Sequence, residues 1–487
     1  MNIRNKGRST FISAVTLTAL FSGSVAPARS QMSTVTVNPT LIRKRLISDN
    51  NNIIASLNSL YTAKVNVTRA RTNLMPSLNL GAALSANPIS FGLSSITALL
   101  PFLLPSNWYA LDMSKHQLAA SGYAYYIVEL NTYASGLGLY ETILEDMALR
   151  KVYYQQYLNY LKIQNFVQLQ TSIGHTILAD LQQVTSQTEQ AATTVQNYDA
   201  LIQQEMAQMA LALGYKSVTP MSFEEYHPTT VSYEGQSAQR VMNAVFARSP
   251  EEQQARSLIL AAKAGIGIAE FSWLTGSTVS AATSSGRATF NAAPSGGLTL
   301  TIGPQILPTV ELANLTAAQA RDNEIANEEN ELAVITSAVN SIEPYINAVN
   351  DSTDSVTNLQ NAFTAYYTLF AIGQTDLEKL LDINNQLGLA QLTKVGAQYA
   401  LDNERIDLMR ATISGQFKLI PTCRLMGDET SDNGGVFGWF KDIFSPQSDF
   451  RSVDQICRTG AAAARVARTP SRDPSSAPWN PSMHWGR

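Results

Sequence analysis

The chain is poor in the side chains that carry most chemistry. Its 487 residues include two cysteines and four histidines, and only 15% are charged. The histidines, His116, His175, His227 and His484, are scattered with no metal-ligand spacing, so no metal site is expected. There is no Gly-rich phosphate loop, no nucleophile elbow and no acid pair, which argues against an enzyme and against any cofactor. A formal net charge of −4 offers no basic surface for nucleic acid. Long apolar runs are also missing after the N-terminus. The most apolar later stretch, residues 96–104, is short and broken by Pro101 and Pro105.

What is present begins with an address. Arg4, Lys6 and Arg8 precede a short apolar segment at 11–25, and Ala26-Pro27-Ala28 supplies a small-x-small cleavage pattern. Residues 1–28 therefore read as a secretory signal peptide, too short in its apolar part for a spanning anchor. Cys423 and Cys457 both lie in the last part of the chain. In an oxidising compartment two cysteines read as one disulfide, with two free thiols as the alternative.

The mature chain repeats itself. KVNVTRARTNLMP at 64–76 and KAGIGIAEFSWLT at 263–275 align with Ala63 on Ala262, Lys64 on Lys263 and Ala70 on Ala269. The same offset of about 199 residues puts Ile173-Gly174 on Ile372-Gly373, Thr176 on Thr375, Leu178 on Leu377 and Leu181 on Leu380. One offset held over so long a span means two copies of one unit, 29–214 and 250–415. They are joined by 215–249 and followed by a tail, 416–487.

Each copy predicts the same order of elements. A helix comes first, at 40–75 and at 250–271. The second starts at Ser249 as N-cap with Pro250 at the first helical position and Glu251 and Glu252 suiting the positive helix end. Period-two alternation follows, Leu78, Leu80, Ala82 and Leu84 in one copy and Leu298, Leu300 and Ile302 in the other. Trp108 to Met113 and residues 273–283 are the weaker strand partners, giving β-hairpins at 76–113 and 272–306. A very long helix comes next. Tyr126, Tyr133, Tyr140, Met147 and Tyr154 recur every seven residues beside Leu130, Leu137, Leu144 and Leu158. Ile335, Ile342, Val349, Val356, Phe363 and Phe370 do the same in the second copy, marking a coiled-coil seam. The span 116–174 amounts to about 90 Å at 1.5 Å per residue. Return helices at 178–213 and 376–412 make Gly174 and Gly373 hairpin turns, and Pro344 is expected to bend its helix.

The expected fold is mainly α with a small β part: long antiparallel coiled-coil helices plus four strands per chain. Four strands cannot close a barrel, whereas three copies supply twelve, with an apolar exterior suited to outer-membrane lipid. The alternative is a soluble periplasmic rod with a small sheet.

These residues carry a resemblance. Ala70-Arg71-Thr72-Asn73-Leu74-Met75-Pro76-Ser77-Leu78 looks like the A-R-x-x-x-x-P-x-L junction of the TolC family of outer-membrane export channels. Arg248-Ser249-Pro250-Glu251 resembles the family's second-repeat opening. IGHTILADLQQ at 173–183 and YTLFAIGQTDLEKLLD at 367–382 are similar to its two helical turns. The resemblance covers residues 40–415. It implies a homotrimer with a 12-stranded β-barrel in the cell outer membrane and a 12-helix tunnel through the periplasm. Residues 215–249 and those from 416 onward would form a belt around the tunnel. It further implies a periplasmic adaptor docking at the tip turns Gly174 and Gly373, an inner-membrane transporter, and a role in tripartite efflux or type I secretion. A non-conducting TolC-like scaffold in a cell-envelope assembly is the other reading.

Carried over position by position, the family's closing interactions fall at Asp180, Phe370 and Thr375. The prototype's phenol and cation are missing here, because Phe370 has no hydroxyl and Thr375 no charge. The narrow ring matches Lys379 and Asp382, which in three copies would pair instead of stacking six carboxylates. Two segments depart from the family. The loop 87–107 is unusually apolar, and the tail carries Phe437, Trp439, Phe440, Ile443 and Phe444 before turning Ala-, Arg-, Pro- and Ser-rich.

Overall fold

Asn38 opens the first helix by accepting a hydrogen bond from the Leu41 N–H at 2.9 Å, with Pro39 pre-set for helical φ just behind it. The computed structural model describes residues 34–74, 104–174, 177–216, 219–228, 231–272, 279–284, 287–292 and 306–421. Its elements run β1 (Val35–Val37), α1 (Pro39–Asp49), α2 (Asn51–Asn73), α3 (Pro105–Ser172), α4 (Leu178–Ala212), β2 (Met221–Phe223), α5 (Ala238–Val245), α6 (Pro250–Glu270), β3 (Val279–Ser284), β4 (Arg287–Ala292), α7 (Ile306–Ala371) and α8 (Leu377–Ala411).

The duplication is visible in the boundaries. α4 and α8 are both 35 residues long, and their first residues, Leu178 and Leu377, keep the sequence offset. Gly174 and Gly373 both turn with positive φ, +78° and +74°, the left-handed conformation glycine adopts without steric cost. α3 has 68 residues and α7 has 66, so each is about 100 Å long. Their return helices reach only half as far.

Packing therefore divides each long helix in two. In the tip half, α4 lies on α3, α3 on α8, and α8 on α7. In the other half, α2 lies on α3, α3 on α6, and α6 on α7. Each half is a row of four helices, with α3 joining the two repeats in both. Ile163, Val167, Val184, Phe363, Phe370, Leu380 and Leu387 fill the tip-half core. Leu57, Leu60, Val67, Leu118 and Tyr125 fill the other half. A third core sits between them, built on Tyr126, Leu130, Tyr133, Leu137 and Tyr140 of α3 and Ile335 and Ile342 of α7. The heptad seam is thus buried through Leu144. Beyond it Met147, Tyr154 and Leu158 are exposed.

Four expectations change. The helix expected at 40–75 is broken at Asn50, which ends α1 and then caps α2 by accepting from the Asn52 N–H at 2.8 Å. Trp108 to Met113 is helical, not a strand. Pro105 at the helix start nucleates it, and Met113 packs on Ala261, Ala264 and Ile268 of α6 at helical spacing. In the second hairpin β3 pairs antiparallel with β4, Val279 opposite Ala292 and Ser284 opposite Arg287. Only two residues, Ser285 and Gly286, separate the arms, a two-residue connection of the kind that sets hairpin register. The returning arm is thus at 287–292, while 298–302 lies outside the described residues. Pro344 is accommodated inside α7, which continues as one helix to Ala371. The strand at 78–84, the pair Cys423 and Cys457, the loop 87–103 and the tail beyond 421 lie outside the described residues.

Among the described residues no helix is long and apolar enough to cross a membrane, and no group of His, Cys, Asp or Glu is arranged to hold a metal.

Candidate functional site

The two hairpin turns bring the tip residues to one end of the rod. At the second turn the Gly373 N–H bonds the Phe370 carbonyl at 3.0 Å and the Gln374 N–H bonds the Leu369 carbonyl at 2.9 Å, closing α7. Asp376 then caps α8 by accepting from the Lys379 N–H at 2.9 Å. Ile173, Ile177, Leu178 and Ile372 are exposed around these turns. The tip is an apolar cap without its own cover.

Phe370 lies in the tip core, 7% exposed, with its ring edge-on to Phe166 at 5.5 Å. It holds the helices by packing. Lys162 Nζ stands 3.9 Å over the Tyr367 ring, adding a cation–π contact at the same level. Asp180 sits half-buried in the first turn of α4, where the helix N-terminus favours an acid. Thr375 is half-buried just before α8. Lys379 Nζ and Asp382 Oδ2 are 3.3 Å apart within one chain. Gln386 Nε2 reaches both Asp382 oxygens, at 3.1 and 3.0 Å. These Gln386 bonds, and then Lys379, hold the Asp382 carboxyl below the usual range. Lys379 and Asp382 thus form an internally compensated pair.

Higher up, polar groups lock the repeats in register. Asn159 Nδ2 on α3 donates to Asn384 Oδ1 on α8 at 2.8 Å, both buried, and Tyr160 Oη donates to Asn385 Oδ1. A buried amide pair of this kind specifies register because any slip leaves both unpartnered.

Midway along the rod, the segment between the repeats wraps across the helices. β2 pairs in parallel with β1, Val35 opposite Met221 and Val37 opposite Phe223. Met221, Val231, Val241 and Met242 enter the central core. Tyr140 Oη donates to the Glu224 carbonyl, and Tyr133 Oη to the Pro39 carbonyl at 3.3 Å. His227 Nδ1 meets Asp402 Oδ2 at 2.7 Å. Arg405 Nε meets Glu234 Oε1 at 2.8 Å, and its other nitrogen donates to the Pro228 carbonyl at 3.2 Å. The described residues between the repeats are thus packed on the helices, in the segment where the resemblance implies a belt. The N-terminal strand that joins it, and the side chains that fasten it, were not singled out from sequence. A fully buried acid, Glu141, inside the apolar run around Leu137, Tyr140 and Ile143 was the available signal.

No protein-family model matches the sequence, and no curated protein matches it. Solved structures do match. One is a membrane protein from Pseudomonas aeruginosa, 15% identical over 78% of this chain and 91% of that one, with a TM-score of 0.62. The outer membrane protein VceC of Vibrio cholerae is 16% identical over 78% and 96%, with a TM-score of 0.61. The Campylobacter jejuni CmeC outer membrane channel is 12% identical over 84% and 96%, with a TM-score of 0.62. The chain has the fold of these outer-membrane channels.

Proposed function

We propose that three copies of this chain form a passive conduit of the cell outer membrane that continues through the periplasm and serves an efflux or type I secretion system. The observation that carries this reading is the open row of four helices in each half of the rod. In both rows α7 is one edge, and its Leu307, Leu312, Leu315, Ile325 and Val334 are exposed. The other edges, α4 and α2, carry exposed Leu201, Leu211, Ile54 and Val65. A layer with two apolar edges is completed by further copies of itself, and a closed ring is the arrangement that leaves none free. Three copies give twelve helices in each half. The hairpin β3–β4 gives each copy two barrel strands, and the sequence pattern at 78–84 marks one arm of the second hairpin that a twelve-stranded barrel requires. The fold shared with outer-membrane channels agrees.

On this reading the apolar turns around Gly174 and Gly373 receive a periplasmic adaptor, which links the tunnel to an inner-membrane transporter. Export then needs no catalytic residue in this chain. The conduit is tested by adding purified protein to a planar lipid bilayer. Stepwise current is expected. Its absence, with protein inserted, would support a non-conducting scaffold instead.

The tip makes a sharper prediction. In a trimer the Lys379–Asp382 pairs form a nearly neutral ring at the constriction, so the pore is expected to be weakly selective. Lys379→Asp makes that ring wholly acidic. The reversal potential in a salt gradient should then move toward the cation value. Because the pair is exposed on both sides, folding stability should change little. An unchanged reversal potential would remove Lys379 from the pore.

A further inference from the structure

Two carboxyls are fully buried where the belt meets the rod. Glu141 stands on α3 and Asp402 on α8, each with 0% exposure. Asp402 is well supplied, by His227 at 2.7 Å and by Gln398 Nε2 at 3.3 Å from each of its oxygens. Glu141 is not: neither of its oxygens has a hydrogen-bond partner among the described residues. A carboxylate ion so placed is strongly disfavoured, whereas the neutral acid is tolerated.

The groups facing this pair come from three elements. Tyr140 precedes Glu141 on α3. From α8 come Tyr399, which interacts with both acids, and Arg405, which is turned to Glu234. Tyr226 and His227 approach from the belt. The nearby Arg405 is thus engaged elsewhere, and among the described residues Glu141 has no hydrogen-bond partner of either sign.

We propose that Glu141 is a proton-operated latch for the belt, whose residues 219–228 and 231–236 lie docked on α3 and α8 while Glu141 is neutral and lift away when it ionises. An ionised Glu141 must find water. Parting α3 from α8 to admit it would break the buried Asn159–Asn384 bond and the long seam on either side. Lifting the belt breaks the three-residue β1–β2 ladder, the Arg405–Glu234 pair and the packing of Met221 and Val231, but leaves the row of four helices intact. The belt is the element that yields.

The direction of the pH response follows. Burial, with Asp402 adding to it, pushes the Glu141 carboxyl up to about 8. An acid whose folded value lies above its ordinary one binds more protons folded than open. The docked state therefore loses stability as pH rises from the ordinary carboxyl range to about 8, and the belt opens on the alkaline side. Within that window each pH unit shifts docking about tenfold, and above it the shift levels off. The reading depends on the fold of one chain and not on whether the pore conducts.

Hydrogen exchange on the full-length protein in detergent, from pH 6 to 9.5 and corrected for the intrinsic rate, tests it. Amides of 219–228 and 231–236 are expected to lose protection by about tenfold per unit from pH 6 up to about 8 and to level off beyond, while amides of 377–387 at the tip stay level. Glu141→Gln and Glu141→Leu should both abolish the alkaline loss. Asp402→Asn removes the neighbouring charge, so the loss should level off at a lower pH and be smaller in total. A level profile for the belt in the unaltered protein would overturn the proposal, and so would the same alkaline loss in both Glu141 variants.

Discussion

Phe370→Ala is expected to weaken the closed tip by about 3–5 kcal/mol, the usual cost of truncating a buried phenylalanine. Phe370 is 7% exposed and meets Phe166 edge-on at 5.5 Å in a core shared by α3, α4, α7 and α8. Removing the ring forfeits its buried area, the aromatic pair and the filling of the space between four helices. Ile173, Ile177 and Ile372 at the turns are exposed, so the hairpins are held by the tip core, in which Phe370 packs with Val167, Val184 and Leu380. The loss should therefore appear locally. Amides of 377–387 should exchange at least a hundredfold faster, in line with a local cost of about 3 kcal/mol or more, while those of the central core keep their protection. In the conduit reading the same variant should also show longer open times in single-channel records. A change smaller than about 1 kcal/mol would mean that Phe370 is not what holds the hairpins together.

The second large effect is expected at Arg405. Its guanidinium and the Glu234 carboxylate are 14% and 11% exposed, with nitrogen-to-oxygen distances of 2.8 and 3.5 Å, and the Val231 N–H bonds the same carboxylate at 2.9 Å. Arg405→Ala leaves Glu234 charged, nearly buried and without its cation. Breaking a buried pair from one side costs about 3–5 kcal/mol, more than the pair itself is worth. It also frees the Pro228 carbonyl. Protection of 228–236 should collapse, and limited proteolysis should cut there first. Arg405→Lys keeps the charge but not the fork, so it should recover only part of the protection. Unchanged protection in Arg405→Ala would show that the belt is held by its apolar side chains alone.

The helical frame was legible in the sequence because its signals are periodic and occur twice. Leu178 and Leu377 begin return helices of equal length, and Gly174 and Gly373 have the positive φ their turns need. The offset even extends to a place where the residue type hides it. Gly214 and Ile413 follow α4 and α8 at equivalent positions and both have positive φ, +75° and +47°. In the second copy the helix ending is imposed on a β-branched residue, at a steric cost that glycine avoids. No rule of residue preference would have placed that turn at Ile413.

What sequence did not reveal has physical reasons. Trp108 to Met113 alternates weakly enough to suit either period, and the packing of Met113 on α6 decides for helix. β4 was displaced because Leu298, Leu300 and Ile302 alternate more conspicuously than Ala288, Phe290 and Ala292. The belt fasteners were harder still. His227 and Asp402 are 175 residues apart, and Arg405 and Glu234 are 171 apart, so nothing local joins them. Asp180, Phe370, Thr375, Lys379 and Asp382 were carried over by resemblance alone, and the structure describes only their surroundings within one chain. Phe370 acts through its ring, and Lys379 and Asp382 compensate each other within one chain.

The central claim is that the row of four helices in each half closes on further copies of itself. Electron cryo-microscopy of the full-length protein in detergent tests it most directly. The account predicts three-fold particles with a hollow rod of twelve helices in each half, capped by a twelve-stranded barrel. Single chains, or a ring of any other number, would contradict it.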